Sequence, residues 1–324
     1  MIKKNDLYYA KILLFGEYSV IYNSKGLSVP YSHFKGELDF INKNKYTNLN
    51  FANESNRMLV EFFGYIKELQ EKGILLCNFN ILDFENDINK GLFFESSIPQ
   101  GFGLGSSGAL VAALYDKYVN GKISNAHGID KKQILQLKEI FAQLESFFHG
   151  TSSGIDPLNS YLKMPMLINT KSDIRIVGLP RRTKFGDGAI FLINTGTPRK
   201  TAPLVNFFIE KVKNEIAFAR EVKNTMIPLT DNCINSLVNG EIDDFFKNLK
   251  ELSRFQLKYM KRMIPEPFQK LWHKGIETAD YYLKLCGSGG GGFILGFSAN
   301  FEKTRKELED SDFEVIPVFQ TYKD

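Results

Sequence analysis

The 324-residue chain holds little cysteine, histidine or tryptophan: three Cys, four His and one Trp. Cys77, Cys233 and Cys286 form no C-x-x-C pair, so neither a zinc site nor a disulfide framework is expected. An odd, scattered set of thiols fits a reducing compartment, and a cytoplasmic protein is the expectation. His33, His127, His149 and His273 are as widely dispersed, which argues against a histidine-based metal centre. No apolar run is long enough to span a bilayer, and Met1–Asp6 lacks the apolar stretch of a secretory leader. Charge of one sign is also missing. The 41 basic and 37 acidic residues are intermixed and leave a net charge of +4. That excess is too small to argue for nucleic acid or a membrane surface, although it suits an anionic small molecule.

Otherwise the composition is that of a globular protein, 43% hydrophobic and 24% charged, with 28 Phe that predict a Phe-rich core. The length allows two domains. The densest signal is Pro99-Gln100-Gly101-Phe102-Gly103-Leu104-Gly105-Ser106-Ser107-Gly108. Glycines at 101, 103, 105 and 108 strip one face of a loop, so that backbone N–H groups can turn inward on an anion. Ala109-Leu110-Val111-Ala112-Ala113-Leu114 then propagates a helix. A Gly-rich loop feeding a helix N-terminus is a phosphate cradle, because orphan N–H groups and the helix dipole both favour negative charge. The Ser106 and Ser107 hydroxyls can reach a phosphate oxygen or a phosphate-bound metal. A Walker A loop is excluded, since no lysine stands between Gly105 and Ser106. Gly103-x-Gly105-x-x-Gly108 meets the dinucleotide pattern, but Glu95, Ser96, Ser97 and Pro99 separate it from an apolar strand. Asp130, at the spacing of that pattern's acid, lies in a polar run that reads as a loop and helix start. A plain Gly-rich turn with a Ser N-cap stays open.

Strands are expected at Lys11–Phe15, Leu27–Pro30, Glu37–Phe40, Phe79–Ile81, Leu92–Phe94, Ile174–Val177, Ala189–Ile193 and Phe293–Phe297. Helical periodicity covers Ser55–Lys72, Lys132–Phe148, Pro203–Asn224 and Ile242–Met263. A second glycine cluster runs from Gly287 to Gly292. Strands and helices mix in both halves, which predicts an α+β protein. Pro180-Arg181-Arg182-Thr183 breaks the pattern, and two domains are expected, residues 1–182 and 183–324.

Three charged residues stand where chemistry can use them. Asp156 in Gly154-Ile155-Asp156-Pro157 is either a helix N-cap with Pro at N1 or a carboxylate that orients or deprotonates a hydroxyl. Phe141 and Phe148 are the i−4 and i+3 neighbours of Glu145, so this carboxylate borders an apolar stripe. It needs a partner there, either a metal held between phosphates or a lysine. Lys11 is either a solvated strand end or a cation that keeps Asp156 ionised.

These stretches, in order and over nearly the whole chain, resemble the GHMP kinase family, and most closely its mevalonate kinase branch. Lys11–Glu17 is similar to the first motif and Pro99–Gly108 to the second. Glu145 precedes His149-Gly150 and Ser153-Gly154-Ile155-Asp156 as in that branch, Asn194–Arg199 resembles its Asn-Thr-x-x-Pro-Arg segment, and Lys284–Gly292 resembles the Gly-rich third motif.

The resemblance implies a ribosomal-S5-like N-terminal domain and a ferredoxin-like C-terminal domain. It implies ATP-dependent phosphorylation of mevalonate to 5-phosphomevalonate. Asp156 and Lys11 would be catalytic. Pro99, Gly101, Gly103, Leu104, Gly105, Ser106, Ser107, Gly108, Gly289 and Gly290 would bind ATP. Ser107 and Glu145 would hold Mg²⁺, and Glu17, Tyr18, Ser153, Gly154 and Thr197 would meet the acceptor. The partner would be that small molecule alone, with no nucleic acid or membrane, and the protein a monomer or homodimer. Tyr18 stands where many of the branch carry His, and Gly108, Cys286 and Ser288 replace the usual Ala, Thr and Ala; these last three read as conservative. A kinase of phosphomevalonate or of a sugar is the nearest alternative, kept open by Arg181-Arg182 and Arg199-Lys200. A catalytically silent protein of the same fold is the alternative outside enzymes.

Overall fold

The computed structural model of the protein describes residues 6–41, 48–125, 128–180, 182–183, 186–198, 201–310 and 313–323. Arg181, Arg199 and Lys200, three of the four basic residues that suit a phosphorylated acceptor, lie outside the described residues, as does His127. Elements follow in the order β1 (Tyr8–Phe15), β2 (Gly26–Phe40), α1 (Leu49–Glu71), α2 (Ile81–Asn89), β3 (Leu92–Ser96), α3 (Ser106–Tyr118), α4 (Lys131–His149) and α5 (Ile155–Leu162). Then come β4 (Met166–Thr170), β5 (Asp173–Ile176), β6 (Arg182–Thr183), β7 (Ala189–Asn194), α6 (Thr201–Asn214), α7 (Ile216–Glu221), α8 (Ile227–Asn239), α9 (Ile242–Tyr259) and α10 (Glu266–Thr278). The chain ends with β8 (Tyr282–Leu285), β9 (Phe293–Ser298), α11 (Phe301–Glu309), β10 (Val315–Gln320) and β11 (Tyr322–Lys323). Two compact units result. One comprises Met1–Lys11, Pro30–Pro99 and Leu104–Met164, the other Ile12–Val29, Gln100–Gly103 and Pro165–Asp324. Both mix helix and sheet, as the α+β reading requires. No described helix is long and apolar enough to cross a membrane.

In the first unit, α1 buries Ala52, Ser55, Leu59, Phe62, Ile66 and Leu69, alternate steps of three and four residues that form one helical stripe. Asn48 caps it by accepting from the Phe51 amide at 3.2 Å. The Ser55 hydroxyl accepts from Phe94 N at 2.9 Å and so ties α1 to β3. Helix α4 starts at Asp130 with a reciprocal capping box to Gln133. It buries Ile134, Leu137, Ile140, Phe141, Leu144 and Glu145. Helix α3 is buried from Gly108 through Tyr115, and the rings of Tyr115, Phe141 and Tyr161 meet edge to face at 4.9–5.6 Å among α3, α4 and α5.

In the second unit the strands β10-β7-β9-β8 form an antiparallel sheet, with Ala189 opposite Ser298 and Tyr282 opposite Phe297. Every residue of β8 and β9 is buried, and Trp272 of α10 donates from Nε1 to Ser253 Oγ of α9 at 2.7 Å. Phe15, Phe245 and Phe297 pack together at 5.6–6.0 Å, so part of the Phe-rich core lies here.

The structure revises three of the expected stretches and adds elements that were not expected, among them α8, α10, β8 and β10. Leu27–Pro30 and Glu37–Phe40 belong to a single fifteen-residue strand, β2. Pro30 falls between the residues paired with β4 (Gly26–Ser28) and those paired with β3 (Gly36–Phe40), where the ladder along that edge of β2 is interrupted. Phe79–Ile81 is not a strand. Phe79 makes one bridge to Val119, and Asn80 then caps α2 through the Asp83 amide. Helical periodicity over Pro203–Asn224 is interrupted near Glu215 between α6 and α7, and a π-helical turn at Val222–Met226 leads into α8.

The packing of α3 on α5 gives Gly108 a steric reason. A Cβ there would stand 2.7 Å from both the Asp156 carbonyl carbon and the Pro157 nitrogen. Gly108→Ala is therefore expected to destabilise the protein by about 1–3 kcal/mol through overpacking. Thermal or urea unfolding checks this, and unchanged stability would mean that α5 yields without cost.

Candidate active site

The N-terminus of α3 has Gly105 as its N-cap, at φ 76° and ψ 42°, with no side chain capping the helix. Glycine takes this left-handed conformation without the penalty of a Cβ. A Cβ at Gly105 would also meet Lys11 Cγ at 2.9 Å and Asp156 Oδ2 at 3.4 Å, so backbone and charged pair approach closely here. No side chain caps the first turn of α3, and its first N–H groups have no acceptor within the helix, as an anion site requires. The Ser N-cap considered from sequence does not occur, because Ser106 and Ser107 lie inside the helix.

Lys11 is fixed by main chain and side chain together. Its amide donates to Leu104 O at 2.9 Å, and its ammonium lies 3.0 Å from Asp156 Oδ1. The Lys11 side chain is 11% exposed and that of Asp156 33%, so a buried cation meets a carboxylate that still reaches solvent. Ser160 Oγ donates to Tyr9 O at 2.8 Å, which registers α5 against β1 two residues from Lys11. Asp156 is not an N-cap. Gly154 holds that position at φ 72°, and Asp156 is the second residue of α5, where the helix dipole favours its negative charge.

Glu145 is 3% exposed. Its Oε1 accepts from Ser107 Oγ at 3.1 Å, and its Oε2 accepts a very short hydrogen bond from Ser152 Oγ. His149 Nε2 lies 3.1 Å from Ser107 Oγ on the other side. Burial pushes the Glu145 carboxyl up to about 7, and the negative charge of Asp156 adds to the rise, while the two serines and Lys11 oppose it. The pairing with a surface lysine considered from sequence is not what holds Glu145; two hydroxyls do. A carboxylate and a hydroxyl oxygen side by side, short of positive charge, suit a hard cation such as Mg²⁺. Among the described residues no three His, Cys, Asp or Glu side chains gather for a metal, so such an ion would take its other oxygens from phosphates and water.

Other predicted residues fall in the second unit. Glu17 is buried and accepts from the ammonium of the fully buried Lys284, so its carboxylate is engaged by protein. Burial raises the Glu17 carboxyl above its ordinary range, with Lys284 opposing. Tyr18, at φ 63°, is buried, donates to Ser288 O at 2.6 Å and packs on Phe208 with centroids 4.6 Å apart. Thr197 accepts at its carbonyl from Gly292 N at 2.6 Å, and Gly290 N donates to Met263 O at 2.7 Å. Gly101 and Gly103 lie in this unit with Phe102, whose ring packs on Phe293 at 5.3 Å. In the first unit Pro99 and Ser106 are half-buried, and Ser153 is exposed with its hydroxyl 3.4 Å from the Ile155 amide. Sequence reasoning gave no role to Ser152 or to His149, although both touch the Glu145 cluster. The available signals were the His149-Gly150 pair within the motif and the short polar run Thr151-Ser152-Ser153 after a helix end.

Residues 63–162 match the family model for the GHMP kinases N terminal domain. A mevalonate kinase of Dictyostelium discoideum is 23% identical over 286 residues, covering 81% of this chain and 69% of that protein. The solved structure of L. major mevalonate kinase in complex with R-mevalonate has a TM-score of 0.64 at 15% identity, covering 99% of this chain and 97% of that one. That of Streptococcus pneumoniae phosphomevalonate kinase in complex with phosphomevalonate and AMPPNP has a TM-score of 0.61 at 13% identity, covering 99% and 100%.

The raised carboxyl of Glu145 has a consequence for stability. The unfolded chain releases this proton near 4.5 and the folded chain near 7, so the stabilisation present at low pH is lost as pH rises between them. With divalent cations chelated, the melting temperature of the wild type relative to Glu145→Gln is expected to fall from about pH 5 to about pH 8. A difference independent of pH would place the Glu145 carboxyl in its ordinary range.

Proposed function

We propose that this chain, which carries a GHMP kinase N-terminal domain on the two-domain α+β GHMP kinase fold, transfers the γ-phosphoryl group of ATP to the 5-hydroxyl of mevalonate. The observation that carries the reading is the Lys11–Asp156 pair, 3.0 Å apart, against the glycine that opens α3. In the reaction the acceptor oxygen forms its bond to the γ-phosphorus, and the bond from that phosphorus to the β,γ-bridging oxygen breaks. Asp156 orients the acceptor hydroxyl and takes its proton. Lys11 pairs with Asp156 and adds positive charge beside the transferring group. The backbone N–H groups of Leu104 to Gly108 and the N-terminus of α3 hold phosphate oxygens. Ser107 and Glu145 would hold Mg²⁺, which when bound neutralises charge on the phosphates. Phosphoryl transfer asks mainly for positioning and charge neutralisation, and these side chains offer both. Assignments in the second unit, Gly289 and Gly290 for nucleotide and Glu17, Tyr18 and Thr197 for acceptor, rest on motif likeness alone.

Mevalonate is favoured by the similarity to the Dictyostelium enzyme and to the L. major complex. A second reading, phosphomevalonate as acceptor, draws on the comparable fold likeness to the Streptococcus enzyme and on Tyr18 standing in place of His. Purified protein with MgATP is expected to release ADP on adding mevalonate, and far less with phosphomevalonate or galactose. Faster turnover of either of the others would reassign the acceptor and leave the kinase reading intact.

Asp156→Asn is expected to lower kcat by roughly two to four orders of magnitude, the range of a general acid–base group, with little change in ATP affinity. Lys11→Met should lower kcat as well, and the double variant should lose less than the two effects combined, because the pair acts as a unit. Near-full kcat in Asp156→Asn with a normal melting curve would remove Asp156 from the chemistry.

A further inference from the structure

Ser152 connects two groups that the proposed reaction needs. Its hydroxyl donates to Glu145 Oε2, and the same oxygen accepts from the Gly154 amide at 3.0 Å. Gly154 is the N-cap of α5, two residues before Asp156. A serine hydroxyl has one proton and two lone pairs. Accepting from Gly154 leaves that proton free for the carboxylate, so both bonds hold at once. Glu145 Oε2 is thereby committed to the turn that carries Asp156. Oε1 accepts from Ser107 Oγ at 3.1 Å, and in the metal reading it is the carboxylate oxygen that the cation would meet together with that hydroxyl.

We infer that Ser152 is a positioning residue for the divalent cation: through Glu145 it sets which carboxylate oxygen faces the metal, and through Gly154 it couples that choice to the start of α5. The inference rests on the metal reading of Ser107 and Glu145. Partners that orient a metal ligand commonly change affinity by about 10–100-fold when removed. Ser152 suits that role better than a purely structural one. It is only half-buried, and its hydroxyl bonds are spent on a carboxylate and a helix cap rather than on core packing.

The test is Mn²⁺ binding, followed by the loss of the free Mn²⁺ electron paramagnetic resonance signal in the presence of ADP and without acceptor. Ser152→Ala is expected to weaken Mn²⁺ binding by about 10–100-fold. Ser152→Thr, which restores a hydroxyl, is expected to bind Mn²⁺ close to wild type. In turnover the Ser152→Ala defect should appear as a raised Mg²⁺ requirement, with kcat largely recovered at saturating Mg²⁺. Wild-type Mn²⁺ affinity in Ser152→Ala would overturn the inference while leaving the metal site in place. Equal weakening in the Ala and Thr variants, with a matching loss of melting temperature, would also overturn it, as an effect of the turn's folding. A wild-type protein that binds no Mn²⁺ with ADP would overturn the metal reading and this inference together.

Discussion

Glu145 sits with 3% exposure on the side of α4 that buries Phe141 and Leu144, and a carboxylate in such surroundings stays in place only where donors and positive charge reach it. The donors come from two other helical segments, Ser107 in the first turn of α3 and Ser152 in the turn before α5. Lys11 of β1 supplies the nearby charge. Satisfying one buried acid therefore brings together the start of α3, the Asp156 turn and the first strand. Asp156 adds to the difficulty by repelling Glu145, and its own pairing with Lys11 limits that repulsion. Glu145 and Asp156 together bring two carboxylates against the one ammonium of Lys11, a balance that the cation of the proposed reaction would close.

Close backbone approach makes this arrangement possible. The Asp156 carbonyl and the Pro157 nitrogen occupy the space where a side chain at Gly108 would stand, and Lys11 and Asp156 crowd the space at Gly105. The two glycines thus act differently. Gly105 allows a left-handed entry into α3, and Gly108 lets α5 press against α3. The replacement of the family's usual alanine at 108 is then a packing choice tied to the position of Asp156, and not a neutral change.

The second unit carries its own buried pair. Glu17 and Lys284 are both removed from water, and Lys284 also donates to Leu285 O at 2.7 Å. Tyr18 adds a hydrogen bond to Ser288 O, so the residues after β1 are tied to the Gly-rich segment following β8. A phenol at this place can span to a backbone carbonyl while packing on Phe208. That use of Tyr18 gives its departure from the usual histidine a physical meaning within the unit.

The glycine spacing, the Ser-Ser helix start, the Phe-flanked Glu145 and the order of the motifs were legible in the chain, because each is a local pattern tied to local backbone chemistry. The α+β class and most long elements were legible for the same reason, through hydrophobic period. Phe79–Ile81 misled because three residues carry no period, and its resolution lay in Asn80 capping toward Asp83. Tertiary structure decided the rest. It selected ion pair over solvated strand end for Lys11, first turn over N-cap for Asp156, and hydroxyls over a lysine for Glu145. It also drew in Ser152 and His149, whose residue types alone signal nothing. The sequence by itself determines which groups are available and which segments can present them. Which oxygen meets which proton depends on packing between segments far apart in the chain, and only the folded structure sets those distances.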